Sequence, residues 1–278
     1  MEEKLNSTNL KLEEEQIPKK CKLLKVIFLF LIIIFSYMFY FNSFFIKVKE
    51  YNITDKNLPA SFDGLKIVQI SDLHYGTSMK ETNLKKIVKK VNELKPDVIV
   101  FTGDLIDKST NHSEKIKSEL IYHLSTLKAK EVKLAIKGDN DTKDFESIIT
   151  SSGFTYLNDE EYPIYSASSE TISILGLNNS TNLKTTNYQI ALLHEPDKID
   201  NLINNNYNLV LAGHTHGGEI RLPFIGGLVT YPNGTKYRKS TYNLNQTQMY
   251  ITDGLGTSGI NLRLGTKPTI NFYRLYQY

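Results

Sequence analysis

Residues 66–104 read KIVQISDLHYGTSMKETNLKKIVKKVNELKPDVIVFTGD. Lys66–Ser71 reads as a strand that ends at Asp72-Leu-His74. In Glu81–Lys95, apolar Leu84, Ile87, Val88, Val91 and Leu94 recur at helical spacing. Asp97–Thr102 is a short apolar run of the kind found in a strand buried on both faces, and it stops at Gly103-Asp104. Strand, helix and strand in this order announce an α/β fold with chemistry-bearing residues at the strand ends.

The same grammar continues outward. Ser113–Lys128 reads as a second helix with Ser113 as its N-cap, and Ile116 in the third position rules out a capping box. Val132–Ile136 is a third strand, followed by a short helix at Phe145–Ser152. Glu170–Leu177, Tyr188–Leu193 and Asn208–Ala212 are strand-like, and Asp197–Asn206 reads as helical. From Arg221 onward short strands alternate with Gly and Asn turns. Strands alternating with helices, then mixed strands, predict a layered α/β sandwich.

Five strand ends carry metal-type ligands: Asp72 and His74, Asp104, Asp139, His194, and His214 with His216. Four of the six histidines fall among them. Residues i and i+2 at a strand end share a face, so Asp72 and His74 can reach one ion, as can His214 and His216. Gly103 lets the backbone turn tightly before Asp104, whose carboxylate can bridge two ions. Carboxylates and imidazoles suit divalent transition metals. Two such ions form the usual clamp for hydrolysing a phosphate ester. His112 and His123 lie outside the clusters and read as structural or exposed.

These motifs resemble those of the calcineurin-like metallophosphoesterases: Asp72-Leu-His74, Gly103-Asp104-Leu-Ile-Asp107, Gly138-Asp139-Asn140-Asp141, the lone His194, and Gly213-His214-Thr-His216. The resemblance runs from Leu65 to the C-terminus. Gly217-Gly-Glu-Ile-Arg-Leu-Pro-Phe224 and Asp253-Gly-Leu-Gly-Thr-Ser258 are similar to the membrane-associated bacterial branch, related to phosphodiesterases acting on UDP-2,3-diacylglucosamine and similar lipids. It implies a four-layer α/β/β/α sandwich of two mixed β-sheets flanked by helices. It also implies a dinuclear centre: Asp72, His74 and His216 on one metal, Asp104 bridging, and Asp139, His194 and His214 on the other. The metals expected are two divalent ions, Mn²⁺ first, with Fe or Zn²⁺ as alternatives.

One motif departs from the family. Its Gly-Asn-His-Asp is here Gly138-Asp139-Asn140-Asp141. Asp139 adds a negative charge to the ligand set, which weakens the Lewis acidity of the ions and favours the harder Mn²⁺. Asn140 stands where the family His assists catalysis. An amide can donate a hydrogen bond to the transition state but cannot protonate a leaving group. That loss typically costs about 10²–10⁴-fold, least for a leaving group that departs easily, such as a phosphate.

The rest of the chain sets the context. Hydrophobic residues make up 40% and charged residues 23%, as in an ordinary folded protein, and the net charge of +3 gives no basis for expecting a nucleic-acid partner. A lone Cys21 excludes an internal disulfide and a cysteine zinc framework. Residues 1–25 read as a flexible polar tail. Val26–Ile46 carries no charge and as a helix would span roughly 31 Å, the thickness of a bilayer core. The expectation is a single-pass anchor in the cell membrane with the catalytic domain outside, because lysines are slightly in excess before the segment. A cleaved signal peptide and a buried core helix are the alternatives. Residues 47–64 are expected to link the anchor to a domain spanning 65–278. The expected activity is hydrolysis of phosphoester bonds, in diesters or diphosphate-linked lipids, at the membrane surface. A metal-holding scaffold with little catalysis competes with it.

Overall fold

The computed structural model describes residues 19–40, 45–77, 79–178, 188–202, 207–222, 224–259 and 261–278. Helix α1 (Lys19–Tyr40) lies, as far as Tyr37, in a unit separate from the rest of the chain. Its described apolar side chains, from Leu23 through Ile33, are exposed. Among the described residues no helix is long and apolar enough to cross a membrane. The expected span 26–46 is also not one helix. The helix stops at Tyr40, residues 41–44 lie outside the described residues, and Ile46 is buried in the core of the body. The polar tail expected over 1–25 falls largely outside the described residues.

The expected linker 47–64 is corrected outright. β1 (Lys47–Asp55) pairs in parallel with β14 (Thr269–Gln277) over nine residue pairs, from Lys47 with Thr269 to Asp55 with Gln277. Ile53, Leu58 and Phe62 are buried. These few apolar residues among charged ones gave no strong periodic signal, and only the partner strand makes them structural.

The remaining elements follow the sequence closely, except for two strands within 155–165 that its pattern does not announce. They are β2 (Lys66–Ile70), α2 (Glu81–Glu93), β3 (Val98–Phe101), α3 (Glu114–Ser125), β4 (Val132–Ala135), α4 (Phe145–Ser151) and β5 (Thr155–Tyr156). Then come β6 (Glu160–Tyr165), β7 (Thr171–Leu177), β8 (Gln189–Leu193), β9 (Leu209–Ala212), β10 (Arg221–Leu222), β11 (Gly226–Gly227), β12 (Thr241–Leu244) and β13 (Thr247–Ile251). α2 buries Leu84, Ile87, Val88 and Val91, the expected stripe. Ser113 caps α3 as expected, its side chain accepting from the Ile116 N–H at 3.4 Å.

Two six-stranded mixed sheets result, ordered β1-β14-β2-β3-β4-β5 and β12-β13-β9-β8-β7-β6. In the first sheet β2, β3, β4 and β5 are parallel, and in the second β13, β9, β8 and β7 are. Strands buried on both faces need apolar residues at every position, which is why β3 and β9 read as unbroken runs. Alternate residues then enter different cores. Val68, Ile70, Ile99 and Phe101 pack under α2, α3 and α4, while Ile67, Val98 and Val100 face Ile190, Leu192, Leu209 and Leu211 of the second sheet.

A third core lies on the far face of the second sheet, where Ala191, Leu193 and Val210 meet Ile199, Leu202, Tyr207 and Tyr237. The cover there differs from expectation. The sequence predicts a helix over Asp197–Asn206, but Pro196–Asn201 is a 3-10 turn, and 203–206 lie outside the described residues. Among the described residues the fourth layer of the sandwich is therefore a turn and loops instead of an α-helix.

Candidate metal centre

The carboxyl ends of β2, β3, β4, β8 and β9 gather at one edge of the two sheets. All seven ligand-type residues singled out in the sequence come together there in two groups. Asp72, His74, Asp104 and His216 form one group, and Asp104, Asp139, His194 and His214 the other. Within each, one donor atom per residue lies within 4.8 Å of all the others. Ligands about 2.0–2.2 Å from a shared ion are separated by distances of this order. Asp104 is common to both groups. His112 and His123 stay outside them: His123 is buried against Glu81 at 3.0 Å, and His112 lies near Thr142 and Asp144.

The imidazoles are held in one pattern. His194 has Nδ1 2.6 Å from the Thr102 carbonyl and Nε2 3.1 Å from Asp139 Oδ1. His214 has Nε2 2.7 Å from the Pro232 carbonyl and Nδ1 3.0 Å from Asp139 Oδ1. His216 has Nδ1 3.0 Å from the Gly256 carbonyl, with Nε2 facing His74 Nε2 at 3.2 Å. His74 has Nδ1 3.3 Å from Asp107 and Nε2 3.3 Å from Asp104. In His194, His214 and His216 one nitrogen is anchored outward on a backbone carbonyl, in His74 it faces the Asp107 carboxylate, and the other nitrogen of each ring points into the cluster. Outer anchors of this type fix the tautomer of metal-ligating histidines.

The backbone is strained at the same place. Asp72, His74, Asp104, His214 and His216 all have positive φ, between 43° and 70°. For a non-glycine residue this costs about 1–2 kcal/mol each. Tight bonds hold the conformation: the Asp72 N–H donates to the Gly103 carbonyl at 2.9 Å, and the His214 N–H to Asp72 Oδ1 at 2.9 Å. Gly138 leaves room for the closest approach. A Cβ there would fall on the Asp104 carboxylate and crowd His194.

The electrostatics match a cluster awaiting positive charge. Burial alone would lower the His74 pKa, but its bonds to Asp104 and Asp107 outweigh burial and push it up to about 10. His194 is likewise raised well above the usual histidine value: burial opposes the proton, and the Asp104 charge overcomes it. His216 goes the other way, lowered by burial and by neighbouring His74 and Arg263. Asp72 is raised by burial, and its Oδ2 is buried without a hydrogen-bond partner. An orphaned carboxylate oxygen beside inward-facing nitrogens is what a divalent cation would satisfy.

Three supporting residues carried no assigned role in the sequence. Asp107, the last residue of the Gly103–Asp107 motif, orients His74. Asp141 accepts from the N–H groups of Asp104, Leu105 and Gly138 at 2.7–2.8 Å, setting the loop that presents Asp104. Arg263, 1% exposed, donates Nη1 to the Asp253 carbonyl at 2.7 Å and Nη2 to the Gly256 carbonyl that also anchors His216. The motif spacing could have flagged Asp107 and Asp141. Nothing local distinguishes Arg263. Asn140 is held against the shared acid, its side-chain Nδ2 2.7 Å from Asp104 Oδ2 and its backbone N–H 2.9 Å from Oδ1.

The model of the calcineurin-like phosphoesterase family matches residues 65–218. The chain belongs to that family. It is 34% identical over 257 residues to the uncharacterized metallophosphoesterase YkuE of Bacillus subtilis, covering 87% of this chain and 89% of that protein. A zebrafish transmembrane protein with a metallophosphoesterase domain is 28% identical, over 81% of this chain and 56% of its own length. The UDP-2,3-diacylglucosamine pyrophosphatase LpxG of Chlamydia trachomatis is 27% identical, over 60% of this chain and 69% of its own length. The metallophosphoesterase is thus a hydrolase whose family and donor set both suit a dinuclear divalent centre.

Proposed function

We propose that the protein hydrolyses phosphodiester or diphosphate-linked bonds of lipid-borne substrates at a membrane surface, using two divalent ions with Mn²⁺ as the preferred metal. The observation that carries the reading is the set of four imidazoles that converge, with their acids, in two ligand groups sharing Asp104, three of the rings anchored outward on backbone carbonyls. Asp72, His74 and His216 would hold one ion, Asp139, His194 and His214 the other, with Asp104 between them. When bound, the ions would neutralise phosphate charge and make water more acidic.

The chain's own groups do the rest. Asp107 and the Thr102, Pro232 and Gly256 carbonyls fix the rings, so no reorganisation is needed during reaction. The Asn140 amide lies at the shared acid and would donate a hydrogen bond to a phosphoryl oxygen. It has no proton to give a leaving group, which favours groups that depart as stable anions. A diphosphate link provides one, and LpxG is named for such a substrate. The exposed apolar side chains of α1 and the lysines before them support membrane attachment with the body outside. So does the name of the zebrafish relative.

One experiment tests these points together. Cells expressing the full chain are separated into soluble and carbonate-washed membrane fractions, and the purified chain is assayed on bis-p-nitrophenyl phosphate. Turnover should require Mn²⁺, stop with chelator and vanish in Asp104→Ala. Two bound metals without turnover would favour the scaffold instead. Recovery in the soluble fraction would remove the membrane part of the reading.

A further inference from the structure

A cavity of about 380 Å³ opens beside the second ligand group. Asp139 and His194 form its metal end, and Tyr156, Asn178, Lys137 and Lys198 line the space beyond. The two lysines differ in what answers their charge. Lys198 is ion-paired with Glu195. Lys137 is half-buried, yet no ion pair or hydrogen bond engages its ammonium among the described residues. The nearest acid along the chain, Asp139, is already committed to His194 and His214. A lysine lining a ligand-sized cavity with no acid paired to it is free to answer the charge of an anionic ligand.

Resting on the phosphoesterase reading above, we propose that this cavity is a subsite for the second phosphate of a diphosphate-linked substrate, and that Lys137 is its anchor. The chemistry of the site calls for such a group. Water adds to the scissile phosphorus, the P–O–P bond breaks, and its electron pair stays on the bridging oxygen. That oxygen leaves on the second phosphate, and both water protons pass to solvent. Asn140 cannot protonate it, so its growing negative charge needs a cation, and Lys137 faces the space it would occupy. Lys137 thereby acts as a specificity residue, separating diphosphate diesters from diesters with one phosphorus.

The full chain with Mn²⁺ is assayed on UDP-glucose, a diphosphate diester, and on bis-p-nitrophenyl phosphate. The ratio of kcat/KM for the two should fall about tenfold in Lys137→Met, the loss expected for one charge-assisted contact. Lys137→Arg should restore most of it, and Lys137→Gln gives the same reading should the Met variant not fold. Calorimetric binding of UDP in the presence of chelator should weaken by a similar factor, a readout independent of turnover. An unchanged ratio with unchanged UDP affinity overturns the subsite, as does a wild-type chain that does not bind UDP. Failure of the wild type to hydrolyse either substrate, with UDP binding still dependent on Lys137, overturns the phosphoesterase reading while supporting the subsite.

Discussion

At Gly138 a single hydrogen atom decides whether the shared acid fits. Its N–H donates to Asp141 at 2.8 Å, and its missing side chain leaves the space that the Asp104 carboxylate fills. Gly138→Ala should displace Asp104 by a fraction of an ångström to an ångström. Misplacement on that scale costs about 10²-fold in rate. The expected outcome is weaker binding of both metals and a hundredfold loss of turnover with the fold retained, read by metal titration, activity and circular dichroism. Wild-type metal affinity in that variant would refute the close approach. Asp72, Asp104, Asp139 and the histidines were legible in the sequence because ligand chemistry needs particular residue types at particular spacings. Arg263 was not, because an arginine becomes a structural anchor only where burial strips it of water.

Among the elements, the loop following residue 230 shows how a distant acid supports the site. Asp197, in the 3-10 turn, accepts from the backbone N–H groups of Thr235, Lys236 and Tyr237 at 2.8–3.2 Å. That loop carries the Pro232 carbonyl that anchors His214, and Tyr231, whose ring lies 5.4–5.6 Å from His214 and His216. Burial pulls the Asp197 pKa up, but the bonds from Lys236, Tyr237 and Thr235 outweigh it, and the net shift is downward. A lowered carboxyl pKa adds stability that is fully present above the ordinary aspartate value of about 3.9 and disappears as pH falls through the folded value. Asp197→Asn should therefore lower Tm at pH 7 by about 2–4 °C, the equivalent of roughly 1 kcal/mol. The difference from wild type should shrink below pH 4, and thermal melts across pH 3–7 check this. A gap that widened with acid would contradict the assignment.

Across the whole molecule, the ligands join the two sheets. Asp72, His74, Asp104 and Asp139 follow strands of the first sheet, and His194, His214 and His216 follow strands of the second. Metal bound between them should stabilise the folded body alone. At a hundred times its Kd a single ion contributes about 2.7 kcal/mol, or roughly 5–11 °C in Tm for a body of this size. Scanning calorimetry with Mn²⁺ and with chelator measures it, and Asp104→Ala should lose the increment. By itself, the sequence determined the alternating strands and helices, the apolar faces of α2 and β3, the ligand residues and the family. Each of these is written in local periodicity or in short fixed spacings. Only the tertiary structure decided that 47–55 is an edge strand, that β14 lies between β1 and β2, that Pro196–Asn201 is a 3-10 turn, and that Arg263 steadies His216. Each of those depends on a partner far along the chain, whose contacts supply the burial and hydrogen bonds that local sequence does not encode.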